Sequence, residues 1–169
     1  LTVRLRGLLV GTAVGDALGL PAEGLSRQRV QRLYQGRWRH RLLFGRGMIS
    51  DDTEHTLFVA QSLLRHPDAP DRFARRLSWC LRGWLLTLPA GIGFATLRAI
   101  LKLWLGFPPS RSGVWSAGNG PAMRVAIIGA FFAHDPDQRA AYVAASTRIT
   151  HTDLKALTGA AAIAELAAW

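Results

Sequence analysis

Eleven acidic side chains occur in the sequence, and six of them (Asp16, Glu23, Asp51, Asp52, Glu54 and Asp153) fall in three short motifs. Acids that are scarce overall and bunched locally suit a hard cation, which takes oxygen ligands. Helix capping also gathers acids in small groups. The sharpest case is Gly-Met-Ile-Ser-Asp-Asp-Thr-Glu-His-Thr at 47–56. Ser50, Asp51, Asp52 and Thr53 place hydroxyls and carboxylates together at a helix start. Adjacent carboxylates repel, and a cap needs only one. Cation site and cap both remain open at this point.

Three further stretches carry candidate chemistry. Asp16 lies in Gly-Thr-Ala-Val-Gly-Asp-Ala-Leu-Gly-Leu-Pro-Ala-Glu-Gly at 11–24, and Glu23 follows its proline. In Ser-Ala-Gly-Asn-Gly-Pro-Ala-Met-Arg at 116–124, Gly118 and Gly120 flank Asn119 just before a helix. Backbone N–H groups at such a start suit a phosphate, although an ordinary glycine turn reads the same way. His151 and Asp153 stand at another helix start, with Thr152 or Asp153 as its cap. A lone histidine there is more often a structural hydrogen-bonder than a catalyst.

The elements that must position these residues read as helices. The spacing predicts helices over 3–20, 26–34, 52–65, 71–86, 95–105, 122–133, 136–148 and 153–169, with loops over 35–48 and 107–121. Ser50 or Asp51 is the expected cap of the third. Expected inward faces are Leu57, Ala60, Gln61 and Leu64; Phe73, Leu77, Cys80, Leu81 and Trp84; and Leu97, Ile100, Leu101 and Trp104. In the first helix Gly7, Gly11, Gly15 and Gly19 recur at four-residue spacing. Glycine costs a helix about 1 kcal/mol relative to alanine, so this stripe is expected at the centre of the bundle. No segment alternates long enough to read as a strand.

Composition bounds the rest. The 169 residues are 49% hydrophobic, enough for one packed domain and too apolar for disorder. Cys80 stands alone, so no internal disulfide forms, and an intracellular, cytoplasmic setting is expected. The longest uncharged central stretch, 83–97, contains Pro89, Gly91 and Gly93. It falls short of the roughly 20 residues of a membrane span, so no membrane association is expected. Net charge is +10, almost all from arginine. The arginines are scattered and not gathered into a tract with interleaved aromatics, which argues against nucleic-acid binding.

Taken in order, Gly-Asp-Ala-Leu-Gly with Glu23, Ser-Asp-Asp-Thr-Glu-His-Thr, Gly-Asn-Gly-Pro-Ala-Met-Arg and Thr-His-Thr-Asp resemble the ADP-ribosylglycohydrolase family. The Gly-Ile-Gly-Phe-Ala-Thr segment at 91–96 also fits. The resemblance covers essentially the whole chain. It implies an all-α, orthogonal multi-helix bundle, here one domain over 1–169 lacking its C-terminal part. It implies a two-metal centre of Mg2+ or Mn2+, with Ser50, Asp51 and Asp52 as ligands and Thr53 as a ligand or support. Glu23, Asp51 and Asp52 would be the catalytic carboxylates. Gly118, Asn119 and Gly120 would cradle the ADP-ribose phosphates, and His151 would contact the ribose. The implied substrate is an ADP-ribosylated protein or a related small molecule.

The family's remaining ligands come from an Asp-x-Asp-Thr motif near the C-terminus, and nothing after Asp153 matches it. Asp135 and Asp137 have the spacing but lack the threonine and lie upstream of His151. The chain begins at Leu1 and stops inside an alanine-rich helix, so it reads as a fragment. It is therefore expected to bind metal weakly, hydrolyse little and expose apolar surface. Glu23, Asp51, Asp52, Asn119 and His151 are expected to share one cleft. The rival reading is a non-catalytic ADP-ribose-binding module.

Overall fold

Leu- and Ala-rich segments punctuated by Pro and Gly become helix almost throughout the computed structural model, which describes residues 2–89 and 92–169. In chain order these are α1 (Thr2–Gly19), α2 (Arg27–Tyr34), α3 (Asp51–Arg65), α4 (Pro70–Leu85), α5 (Phe94–Trp104), α6 (Pro109–Ser112), α7 (Ala122–Phe131), α8 (Pro136–Thr150) and α9 (Leu154–Ala168). The fold is all-α. Among the described residues the only strand-like pairing is an isolated parallel bridge between Val114 and His151. No single described helix is long and apolar enough to cross a membrane.

The centre of the bundle is α7, which α1, α3, α8 and α9 surround. Val125, Ile127 and Ile128 on α7 pack with Val59 and Leu63 of α3, Phe73, Leu77 and Leu81 of α4, and Tyr142 and Ile149 of α8. A helix covered on all sides must be apolar all round, and Ala-Met-Arg-Val-Ala-Ile-Ile-Gly-Ala-Phe carries a single charge, on Arg124. Proline starts α4, α6 and α8, at the first helical turn where its missing N–H costs nothing.

The glycine stripe of α1 does not face the core. Gly7, Gly11 and Gly15 are exposed, and a Cβ built on any of the four stripe glycines meets nothing within 4 Å. The opposite side of α1, through Leu5, Leu8 and Leu9, makes the packing contacts. The glycine that does permit close helix approach is Gly129 on α7. A Cβ there would collide with the Ala164 carbonyl oxygen of α9.

Two other faces are rotated from expectation. On α3, Leu57 and Leu64 point to solvent, while His55, Thr56, Val59, Ser62 and Leu63 are buried. Thr56 Oγ1 and Ser62 Oγ donate to the carbonyls of Asp52 and Phe58, which lets hydroxyl side chains go inside. On α5 the inward face is Thr96, Ala99, Ile100 and Leu103, and Leu101 and Trp104 are exposed. The α4 face is as expected except that Cys80 is only half-buried. Helix α6 lies within the expected 107–121 loop.

Candidate active site

The site is built at helix ends. Helix α1 stops at Gly19 and passes into a single 3-10 turn, Leu20–Ala22, that contains Pro21 and leaves Glu23 exposed in extended backbone. Helix α3 starts opposite, with Ser50 as its first flanking residue. Neither Ser50 nor Asp51 caps it. The cap comes from Asp16 on α1, buried in an otherwise uncharged glycine-rich stretch. Asp16 Oδ2 accepts from the Ser50 N–H (2.7 Å), the Thr53 N–H (3.2 Å) and Thr53 Oγ1 (2.6 Å), and Oδ1 accepts from Ser50 Oγ (2.7 Å). One carboxylate thus satisfies two orphan amides and fixes both hydroxyls, so that Asp51 and Asp52 project from a pinned helix end.

Glu54 and His55 have structural roles beneath this edge. Glu54 accepts from Trp84 Nε1 at 2.6 Å, and the buried His55 ring packs edge-on to Trp84 with centroids 4.4 Å apart.

A second wall is the 113–121 loop, held against the end of α8. Val114 donates to the Thr150 carbonyl (3.1 Å) and accepts from the Thr152 N–H (3.0 Å), straddling His151. The His151 ring then lies against the glycine turn. A Cβ at Gly118 would come within 3.0 Å of Nε2, and one at Gly120 within 3.0 Å of Cε1. These two glycines therefore admit an imidazole, whatever else the turn binds. Gly118 N–H already donates to Ser116 Oγ. Asp153 caps α9 through the Lys155 N–H at 2.8 Å.

Between the walls lies a cleft of about 380 Å3 lined by Glu23, Asp51, Asp52, Gly118, Asn119, Gly120 and His151. Gly93, Phe94, Ala95, Thr96, Arg98 and Trp115 complete it; Gly91 of the Gly-Ile-Gly-Phe-Ala-Thr segment lies outside the described residues. Ser50 lines an adjoining hollow with Asp16, Glu23, Asp52 and Asn119, and Thr53 is buried behind it. Five residues spread from 23 to 151 thus meet in one place. Asp135 and Asp137 do not: Asp135 caps α8 through the Gln138 N–H.

The electrostatics are unbalanced. Burial, then Asp51, Asp16 and Glu23, push the Asp52 carboxyl up from 3.8 to about 6. Burial, with Glu23 and Asp16 adding repulsion, also raises Asp51. Among the described residues the one ion pair is Arg139 with Glu165, away from the cleft, so none of the four acids has a cationic partner at salt-bridge distance. His151 is held down, to about 4, by burial and by Arg124, and is neutral at pH 7.

The donors suit a hard divalent cation in kind, being oxygens only, with two repelling carboxylates. They are few in number. Among the described residues no three His, Cys, Asp or Glu side chains are grouped as a metal site.

The sequence reading missed the roles of two residues here. Asp16 positions the α3 edge, and its signal was a lone charge in a glycine-rich apolar helix. Arg124, the only charge on α7, is fully buried against the back of the 120 turn.

A profile of the family described as ADP-ribosylglycohydrolase matches residues 1–169. An uncharacterized protein of Archaeoglobus fulgidus is 39% identical over 95% of this chain and 53% of its own length. The ADP-ribosyl-[dinitrogen reductase] glycohydrolase of Rhodospirillum rubrum is 30% identical over 88% of this chain and 51% of its own length. A solved structure described as an ADP-ribosylglycohydrolase-related protein complex superposes with a TM-score of 0.71 at 33% identity, covering 96% of this chain and 54% of that one. The chain spans about half the length of the relatives it matches. With the profile match over its whole length, the chain belongs to the ADP-ribosylglycohydrolase family.

Proposed function

We propose that this chain carries the substrate cleft, and part of the metal shell, of a hydrolase that cleaves the glycosidic bond between ADP-ribose and a modified side chain or related compound. The observation that carries the reading is the convergence of Glu23, Asp51 and Asp52 with the 118–120 turn and His151 on one cleft. Ser50, Asp51 and Asp52, supported by Thr53, would hold Mg2+ or Mn2+. A bound divalent cation supplies charge neutralisation and lowers the pKa of a coordinated water. It would also offset the burial and repulsion that together push Asp52 up.

The protein's own groups then have distinct tasks. Asp16 keeps the two hydroxyls and the start of α3 in place. Asn119 and the glycine turn receive the phosphates, and His151 meets the ribose. Hydrolysis at the anomeric carbon passes through an oxocarbenium-like state. Glu23, exposed at the mouth of the cleft, can accept the proton of the attacking water.

The incomplete set of acids favours one alternative, a module that binds ADP-ribose without turning it over. Release of ADP-ribose from an ADP-ribosylated protein, measured beside ADP-ribose binding with millimolar Mg2+ or Mn2+, separates the two. Metal-dependent release that Asp52→Asn abolishes supports the hydrolase. Binding that is indifferent to metal and to Asp52→Asn supports the module, and neither binding nor release refutes both.

A further inference from the structure

Arg124 is a fully buried guanidinium with no carboxylate among its hydrogen-bond partners. Its Nε donates to Ser146 Oγ (3.1 Å) and its Nη1 to the Gly120 carbonyl (3.2 Å). Its Nη2 donates to the Ser146 carbonyl (2.8 Å) and to Thr150 Oγ1 (2.8 Å). Both α8 partners lie near the C-terminal end of the helix, where the negative end of the helix dipole offsets a cation. The same side chain grips the glycine turn and the residue preceding His151.

Thr150 Oγ1 also lies 2.9 Å from His151 Nδ1. A hydroxyl has one proton to give and two lone pairs. Arg124 has no lone pair to offer, so it must be the donor to this oxygen. Thr150 is fully buried and these are the hydroxyl's two partners. Its proton therefore goes to His151 Nδ1, since a buried donor left unsatisfied costs more than the bond is worth. Nδ1 is then the acceptor, and the ring's own proton sits on Nε2, beside Gly118.

We propose that Arg124 and Thr150 are positioning residues that hold His151 in its Nε2–H form, so that the imidazole serves the cleft as a hydrogen-bond donor and not as a base. The group it recognises is an acceptor oxygen, as on a ribose or a diphosphate. That ligand assignment rests on the function proposed above; the relay itself does not. Ring orientation is set by the second nitrogen's partner, which is how histidines are usually committed to one role.

The test is long-range 1H–15N NMR of the imidazole at pH 7, with the His151 signals assigned by their loss in His151→Gln. The expected wild-type spectrum has a protonated Nε2 and a bare Nδ1. Thr150→Ser, which keeps the hydroxyl, retains it. Thr150→Val mixes the two tautomers and weakens ADP-ribose binding in proportion to the Nε2–H form lost, about twofold for an even mixture. A protonated Nδ1 in the wild type overturns the proposal without any variant. So does a tautomer unchanged in Thr150→Val. If the tautomer responds as expected but ADP-ribose leaves the Nε2–H signal unmoved, the relay stands and the ADP-ribose reading of the cleft fails.

Discussion

Replacing Asp16 by asparagine changes one atom and tests how the α3 edge is held. In the wild type, Asp16 Oδ2 accepts three hydrogen bonds and Oδ1 a fourth. The amide that Asp16→Asn introduces keeps an oxygen where three donors converge and puts its NH2 toward Ser50 Oγ, which can rotate to accept. Three charge-assisted bonds become neutral ones. Charge-assisted bonds are about twice as strong, so each loses about 1 kcal/mol. Relief of repulsion on Asp51 and Asp52 returns part of this, but burial, not Asp16, is the leading cause of both raised carboxyls. The net loss is about 2 kcal/mol, or roughly 4–8 °C in Tm for a chain of this size. Asp135→Asn is the matched control, because Asp135 is an exposed cap and Asn caps as well as Asp. Calorimetric melts of both variants decide it. If Asp16→Asn melts with Asp135→Asn, within about 1 kcal/mol of wild type, Asp16 does not hold this helix start.

The two glycine classes should part on substitution. Gly129→Ala drives a Cβ into the Ala164 carbonyl and should cost about 2–3 kcal/mol in denaturant unfolding, whereas Gly11→Ala, with nothing near it, should stabilise by about 0.5–1 kcal/mol. The His151 ring, with its folded pKa near 4 against 6.5, remains neutral where the unfolded chain binds a proton. The wild type should therefore lose stability from this group as pH falls from 6.5 toward 4, on the order of 2 kcal/mol, and His151→Gln should lack that component. Millimolar Mg2+ should bring the Asp52 carboxyl down from about 6, read by 13C NMR titration; an unchanged midpoint counts against Asp52 as a ligand.

The order and approximate ends of eight of the nine described helices were legible because proline, glycine and apolar spacing act locally; the short α6 fell inside an expected loop. The gathering of Glu23, Asp51, Asp52, Asn119 and His151 was expected through the family resemblance of their motifs, because a position at a helix end does not by itself say which ends meet. Which way a helix faces was less legible. On α3 a buried face of His55, Thr56 and Ser62 looks polar until the local hydrogen bonds of the two hydroxyls and the packing of His55 on Trp84 are known, and Leu57 and Leu64 look more suited to the core. On α5 apolar residues occur on more than one side, so spacing alone does not select a face. On α1 the glycines suggested close packing, but the nearest backbone approach is made by Gly129 on α7. Asp16 and Arg124 act across 34 to 37 and 22 to 26 residues of sequence, and no local rule ties a charge to partners so far along the chain.

The most direct test is to map ADP-ribose onto the chain by backbone amide chemical-shift changes with Mg2+ present. The expected changes concentrate at Glu23, Ser50 to Asp52, the 93–98 segment, the 114–120 loop and His151, and they disappear in a variant combining Asn119→Ala with His151→Gln. Shifts concentrated on another face, or no saturable shift at millimolar ADP-ribose, would contradict the assignment of this cleft.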